Sequence, residues 1–216
     1  MNNSGNSTAS VGRSIPRLEA HAKVTGRAEY VHNLRVPGML TAKVFRSTVA
    51  HGRIRSIDVA AARAMAGVFA VYTGEDIRKV IPEPYYGPAF HDQPILALDK
   101  VRYVGEPVAV VLAADVHVAE AAAQLITAEY DELPAVYDEI EAMTSKAVVH
   151  EVLKPAGTFA DLQHLKNKSN TNIALDFHLR RGDIAKAFAD ADHVFEHTFR
   201  TQQVLHLPLE PFATVA

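Results

Sequence analysis

Residues 101–136 read VRYVGEPVAVVLAADVHVAEAAAQLITAEYDELPAV, and this stretch decides the fold. The apolar run from Val108 to Leu112 is unbroken, which is typical of a strand buried on both faces. Asp115 is a good N-cap for a helix whose apolar residues recur at i, i+4 and i+7, namely Val118, Ala122 and Leu125. The segment LITAEY then alternates as a second strand, so the order strand, helix, strand predicts a right-handed crossover.

A smaller unit of the same kind precedes this stretch. AKVFRSTVAHGRIRSIDV is rich in β-branched residues and predicts two short strands on either side of a loop at 46–53. Asp58 is placed to cap a helix over VAAARAMA, Gly67 stands where a left-handed residue ends it, and VFAVYT follows as a strand. Residues 80–99 are rich in proline and predict an irregular loop. The first 140 residues therefore indicate one α/β domain.

The pattern changes after this domain. Residues 141–176 have no sustained period and predict a long connector that lies over a surface. Order resumes where Asp183 caps a short helix, and HVFEHTFRT at 193–201 alternates as a strand.

The composition limits the classes of function. The 216 residues carry a formal net charge of −3 and include no cysteine. We expect no nucleic-acid partner, because there is no cationic surface for phosphates, and no cluster ligated by thiolates of this chain. No apolar run is long enough to span a membrane, so the expected location is the cytoplasm. The polar residues 1–10 predict a disordered tail.

One formal metal motif occurs, the H-x-x-E-H string from His193 to His197. On a helix its two histidines would share a face and could hold zinc, but in a strand they lie about 13 Å apart. We favour the strand and expect no metal site. Phosphate-binding glycine motifs do not occur, the acidic segment 128–141 is interpreted as a solvated rim, and His51 is either a placed residue or a surface loop histidine. The residues alone assign no catalytic, cofactor-binding or metal-binding site.

A resemblance to a known family goes further. The chain is similar to the molybdenum-binding large subunit of the xanthine dehydrogenase and aldehyde oxidase family over residues 11–216. The matching motifs include KVTG from Lys23, PGML from Pro37, VRYVGEPVAVVLAAD, RRGDIAKAFADAD and LPLEPFATVA. Small departures are Asn33, where aspartate is common, and TVAHG, where PHAHA is more usual.

The resemblance implies an organisation. We expect a mixed α/β (α+β) fold, with a disordered tail at 1–10, an α/β hammerhead domain at 11–140, a connector at 141–178, and the incomplete beginning of a molybdopterin-binding domain at 179–216. The family's molybdenum-site residues are a later glutamine, a GGFGG-like loop and a distant glutamate, and none is present. Glu210 matches a family position that we interpret as structural.

The resemblance also implies a function. The complete enzyme is expected to hydroxylate an aldehyde or N-heterocycle on molybdopterin, with [2Fe–2S] clusters and FAD on partner domains or subunits, while this chain alone binds no cofactor. The expected partners are the remainder of the molybdenum subunit, the iron–sulfur subunit and the FAD subunit, and a homo-oligomer is possible. The alternatives are a non-catalytic docking module on the hammerhead fold and, less favoured, a zinc hydrolase using His193 and His197.

Overall fold

The computed structural model describes residues 11–155, 168–208, 210 and 212–216, so the predicted tail at 1–10 lies outside the described residues. Short helices and strands alternate along the chain. In chain order they are α1 Ala20–Val24, a 3₁₀ turn Val31–Asn33, β1 Thr41–Arg46, β2 Gly52–Asp58, α2 Ala60–Ala64, β3 Val68–Thr73, α3 Gly74–Val80, β4 Tyr85–Tyr86, β5 Phe90–His91, β6 Gln93–Pro94, β7 Lys100–Val101, β8 Pro107–Ala113, α4 Val116–Gln124, β9 Thr127–Glu132, α5 Glu139–Ala142, β10 Lys154–Pro155 and α6 Ile184–Ala189. No helix among the described residues combines the length and apolarity needed to cross a bilayer.

The contacts divide the chain into two compact units. One consists of residues 1–38 and 195–216 and contains α1 and the 3₁₀ turn, where the rings of Tyr30 and His32 stack at 6.0 Å. The other consists of residues 39–194 and contains all the strands. The buried core belongs to this second unit.

Two three-stranded antiparallel sheets organise the second unit. The first has the order β1-β8-β3 and the second has the order β7-β2-β9. The predicted right-handed crossover from β8 through α4 to β9 is therefore wrong, because β9 lies in the other sheet. The reason is that β8 already pairs with β1 on one side and β3 on the other, which leaves it no free edge. The small upstream unit divides in the same way, with β2 and β3 in different sheets.

Strand β8 lies at the centre of the core. Its Ala109, Val111 and Ala113 are buried against α2 and α4, whereas Val108 packs with Ala97 and Val101 in a second cluster. Val110 and Leu112 are only partly buried, so the prediction of a strand buried on both faces holds at Val108 but not along the whole run. Of the predicted apolar positions of α4, Ala122 is fully buried and Val118 is partly buried, but Leu125 is 46% exposed and Ala119 is buried in its place.

Two of the three predicted helix caps and one predicted turn are present. Asp115 accepts hydrogen bonds from the amides of His117 and Val118, each at 2.9 Å. The predicted cap at Asp58 is wrong, because α2 begins later and its N-cap is Val59; Asp58 precedes the cap and accepts from the amide of Ala60 at 2.9 Å. Gly67 has φ +85°, and an added Cβ there would lie 3.2 Å from a methyl carbon of Val118. The third cap, at Asp183, accepts from the amide of Lys186 at 2.9 Å.

The segment 80–99 is more ordered than the predicted irregular loop. It contains β4 paired with β6, and β5 paired with β10. Its last part is buried: Leu96, Ala97 and Leu98 are each at most 8% exposed. Proline prevents long strands here, but it permits strands of two residues. The residues that lead into β7 are buried.

The first residue of α3 makes a close approach to this buried segment. A Cβ on Gly74 would meet the carbonyl oxygen of Ala97, and it would lie 3.0 Å from a methyl carbon of Leu98. We expect Gly74→Ala to lower the free energy of unfolding by about 1–3 kcal/mol, because the clash is with backbone that cannot rotate away. Urea denaturation followed by circular dichroism measures the change. The exposed neighbour Glu75→Ala is the control, and equal stability of the two variants would contradict the predicted clash.

The predicted strand at 193–201 is wrong. The described residues from 191 to 208 form neither helix nor strand, and every described side chain from residue 174 onward is exposed. A strand needs a neighbour to pair its amides and carbonyls, and no described strand lies beside this segment. Leu209 and Pro211, within the family motif LPLEPFATVA, lie outside the described residues.

Candidate functional site

Charged and polar side chains are buried where β7, the β7–β8 turn and the loop between β1 and β2 meet. Glu106 and Lys100 are each 1% exposed, and Ser47 and His51 are also buried. Such groups are costly to bury unless they are paired. This cluster is therefore the candidate functional site in the second unit.

Glu106 is paired within the turn that joins β7 to β8. Its carboxylate accepts hydrogen bonds from the backbone amide of Arg102 and, at 3.3 Å, from Arg102 Nη1. The same Nη1 donates to the carbonyl of Lys100 at 3.1 Å. Gly105, with φ +94°, lets the turn bring the two side chains together. Burial raises the pKa of Glu106, although the hydrogen bonds and charge of Arg102 oppose that shift.

His51 joins the β1–β2 loop to the end of β9. Its Nδ1 lies 2.8 Å from the carbonyl oxygen of Pro134, and its own carbonyl accepts from the amide of Leu133 at 2.9 Å. Because a carbonyl oxygen only accepts, Nδ1 carries a proton that it donates to Pro134. Nε2 is buried and has no hydrogen-bond partner in the described part of the chain. The interpretation of His51 as a surface loop residue is wrong, and the interpretation as a placed residue is confirmed.

Lys100 connects the site to the segment that follows the second sheet, residues 143–155, which we call the strap. Lys100 Nζ donates to Glu151 Oε1 at 2.8 Å and to the carbonyl of Val148 at 3.5 Å. Burial acts against ionisation of Glu151, but the hydrogen bond and charge of Lys100 keep its pKa below the ordinary value. The strap is also held by Leu153, which packs on Phe90. The predicted connector thus begins with a segment that is fastened to the core of the second unit.

A cavity of about 340 Å³ lies beside the strap, lined by His150, Arg102, Tyr85, Leu98 and other residues. Burial, together with the charges of Arg102 and Lys100, lowers the pKa of His150 to about 4, against opposing effects of Asp92 and Glu151. His150 is therefore neutral in the folded protein at pH 5–8.

This histidine makes stability depend on pH. Between pH 6.5 and about 4 the unfolded chain binds a proton at His150 that the folded chain does not, so the free energy of unfolding falls as the pH falls through that range. We expect His150→Gln to reduce the slope of melting temperature against pH in this range. The matched control is His117→Gln on the exposed face of α4. Parallel melting curves for wild type and His150→Gln would contradict the expectation.

Each buried charge of the site is paired, Glu106 with Arg102 and Lys100 with Glu151. Both carboxylate oxygens of Glu106 accept hydrogen bonds from Arg102, and the residue lines a cavity of about 390 Å³ together with Tyr103 and His150. The described residues contain no group of three or more histidines, cysteines, aspartates or glutamates that could hold a metal ion. His193 and His197, the zinc candidates, are exposed and fall in different units.

The sequence analysis missed Lys100, Arg102, Glu106 and His150. The signal for the first three was present in DKVRYVGEPVAV, where charged residues interrupt a strongly apolar segment. Charged residues so close to a buried strand need partners. His150 had no such signal, because its burial depends on how the strap lies. The acidic segment, by contrast, is a solvated rim as predicted: Glu129, Asp131 and Glu132 are exposed.

Comparisons with known proteins agree with this architecture. Residues 25–134 match the family model "Aldehyde oxidase and xanthine dehydrogenase, a/b hammerhead domain", and residues 164–216 match "Molybdopterin cofactor-binding domain". The first match covers β1 to β9, which includes both three-stranded sheets.

Two curated relatives illustrate the similarity. The 6-hydroxypseudooxynicotine dehydrogenase complex subunit gamma of Paenarthrobacter nicotinovorans is 36% identical over 98% of this chain and 26% of that protein. The nicotinate dehydrogenase large molybdopterin subunit of Eubacterium barkeri is 33% identical over 95% of this chain and 44% of that protein. The chain therefore spans less than half the length of these relatives.

Solved structures show the same likeness. Quinoline 2-oxidoreductase from Pseudomonas putida 86 is 41% identical with a TM-score of 0.57, covering 64% of this chain and 18% of that one. Reconstituted CO dehydrogenase from Oligotropha carboxidovorans is 37% identical with a TM-score of 0.58, covering 63% and 17%. The two sheets and these matches together show that the chain belongs to the aldehyde oxidase and xanthine dehydrogenase family of molybdenum enzymes, with a hammerhead domain followed by a segment of the molybdopterin cofactor-binding domain.

Proposed function

We propose that this chain forms the hammerhead domain and the beginning of the cofactor-binding domain in the large subunit of a molybdenum hydroxylase. The supporting observation is the succession of two family matches along one chain, at 25–134 and 164–216, on a fold with the hammerhead sheets. The complete enzyme hydroxylates an aldehyde or an N-heterocycle. Relatives whose names include nicotinate and nicotine favour the N-heterocycle.

In this proposal the chain supplies scaffold and not reactive groups. The described side chains from residue 174 onward are exposed, so they do not by themselves enclose a cofactor, and no residue here is assigned to it. Molybdopterin, when bound by the complete subunit, supplies the oxygen insertion and accepts two electrons from the substrate. The residues of this chain contribute a rigid buried cluster and the fastened strap from which the cofactor-binding part continues.

The remaining parts of the enzyme lie on partners in this proposal. These 216 residues include no cysteine, so the [2Fe–2S] clusters are ligated elsewhere, on a partner domain or an iron–sulfur subunit, and FAD is bound by a further partner. Relatives named as a complex subunit and as a large chain support assembly from several polypeptides. The assembly works in the cytoplasm, where the absence of disulfides is no disadvantage. The exposed apolar side chains Phe195, Phe199, Leu205 and Phe212 are covered by the rest of the cofactor-binding domain.

The experiment is to express the chain with the coding sequence that adjoins it and the neighbouring subunit genes, and to purify through a tag on this chain. We expect about one molybdenum and one pterin per large subunit, and reduction of an artificial electron acceptor with quinoline or nicotinate rather than benzaldehyde. The same cells grown without molybdate are the control. A folded complex that contains neither molybdenum nor pterin would overturn the proposal and favour a docking module.

A further inference from the structure

One side-chain amide, that of Asn172, binds three backbone groups of the preceding segment. Its Nδ2 donates to the carbonyl of Ala142 at 3.1 Å and to that of Ala147 at 2.8 Å, and its Oδ1 accepts from the amide of Val149 at 2.9 Å. Two carbonyls require N–H donors and one amide requires an oxygen, so only this orientation of the side chain satisfies all three partners. The amide thereby holds together the end of α5 and the first half of the strap.

Asn172 is presented by a turn that has its own hydrogen bonds. The hydroxyl of Thr171 donates to the carbonyl of Lys168 at 2.7 Å, and the amide of Lys168 donates to the carbonyl of Ile173 at 3.2 Å. Asn170 has φ +58°, a left-handed conformation that asparagine tolerates better than most residues. The turn from Lys168 to Ile173 is therefore a preformed element and not an extended linker.

The same turn is connected to the buried core. The amide of Asn170 donates to the backbone carbonyl of Glu151 at 3.0 Å, while the carboxylate of Glu151 is bound by Lys100. Lys100 is 1% exposed at the end of β7. The contacts thus run from β7 through the strap to the turn at 168–173.

These contacts cross the boundary between the two family matches. Residues 142–149 lie after the hammerhead match, which ends at 134, and the turn lies inside the cofactor-domain match, which begins at 164. We propose that Asn172 is a positioning residue that fixes the beginning of the cofactor-binding part on the hammerhead domain. The consequence for the enzyme rests on the proposed function. The three hydrogen bonds of the Asn172 side chain, which we call the clamp, are a property of this chain.

The first experiment measures the clamp by amide hydrogen exchange of Val149 and Asn170, expressed as protection factors so that the pH dependence of exchange chemistry cancels. In Asn172→Ala the three hydrogen bonds are lost, and we expect both amides to lose about tenfold or more in protection at every pH. The control is Asn33→Asp on the exposed 3₁₀ turn. Unchanged protection in Asn172→Ala would overturn the clamp.

A second variant separates positioning from a general loss of packing. In Asn172→Asp the charged carboxylate faces two carbonyl oxygens, which raise its pKa because they bind only the protonated form. The clamp is then weakened above that pKa and partly restored below it, where one oxygen carries a proton that it can donate. His150 in the strap makes the stability of every variant depend on pH, so protection is compared with wild type at the same pH. We expect the protection of Asn170 relative to wild type to be lower at pH 8 than at pH 5 in this variant, with no such difference in Asn172→Ala. Equal relative protection at the two pH values would contradict the assigned hydrogen bonds.

The third experiment is made on the complete enzyme. If Asn172 positions the cofactor-binding part, Asn172→Ala lowers the molybdenum bound per subunit severalfold, and Asn172→Asp retains more of it when purified at pH 5 than at pH 8. An open clamp with unchanged molybdenum content and unchanged kcat would overturn the positioning role. A wild-type enzyme without molybdenum would overturn the proposed function and leave the hydrogen-exchange result standing, so the two failures are distinguishable.

Discussion

Val111→Asp is expected to abolish cooperative folding of the hammerhead domain. Val111 is fully buried in the central strand β8, paired with β1 on one side and β3 on the other, and packed among residues of α2 and α4. A carboxylate there has no partner in the cluster, and its desolvation costs several kcal/mol against a total stability of about 5–15 kcal/mol. Far-ultraviolet circular dichroism and urea titration would show loss of the folding transition.

The neighbouring residue provides the matched control. Val110 lies on the other face of the same strand and is only partly buried, so Asp at this position can turn toward water. We expect Val110→Asp to remain folded with a lowered urea midpoint. If both variants unfolded alike, or both remained folded alike, the assignment of the buried face would be contradicted.

Glu106→Ala is the second change with a large expected effect. Removing this buried carboxylate leaves the amide of Arg102 without its acceptor and a guanidinium that is 9% exposed without its buried counter-charge, although Nη1 keeps the carbonyl of Lys100. Breaking a buried pair from one side costs about 3–5 kcal/mol, which is a large part of the stability of a domain of this size. Thermal and urea denaturation measure the loss.

An exposed ion pair serves as the comparison. Lys43 and Glu120 lie 2.7 Å apart, but both side chains are 45% exposed. Such pairs contribute about 0–1 kcal/mol, so Glu120→Ala should be almost neutral. Similar losses in Glu106→Ala and Glu120→Ala would mean that burial does not determine the effect.

Much of the fold could be predicted from local pattern. The caps at Asp115 and Asp183 were predictable because an N-cap depends on a few neighbouring residues. The sheet partners of β8 and β9 were not, because hydrophobic pattern indicates that a strand is buried without indicating which strand is beside it. A strand between two neighbours has no free edge for a third strand. Which strands are neighbours is determined by the tertiary structure and cannot be read from the local sequence.

The candidate site shows the same limit. Glu106 and Lys100 are charged residues that local pattern places at the surface by default. Their partners, Arg102 and Glu151, become identifiable only when a turn and the strap bring them within hydrogen-bond distance. The strand predicted at 193–201 failed for the converse reason, since an alternating pattern forms a strand only where another strand pairs with it.

The interleaved sheets have a consequence for a cut chain. In the first sheet β1 and β3 precede the proline-rich segment 80–99 and β8 follows it, while in the second sheet β2 precedes it and β7 and β9 follow. A break within 81–92 would leave two polypeptides, neither of which could complete a sheet alone. Each half would supply the strands that the other lacks, so the halves should reassemble when mixed. They would then behave as a split protein, whose reassembly reports that two proteins fused to the halves lie close together.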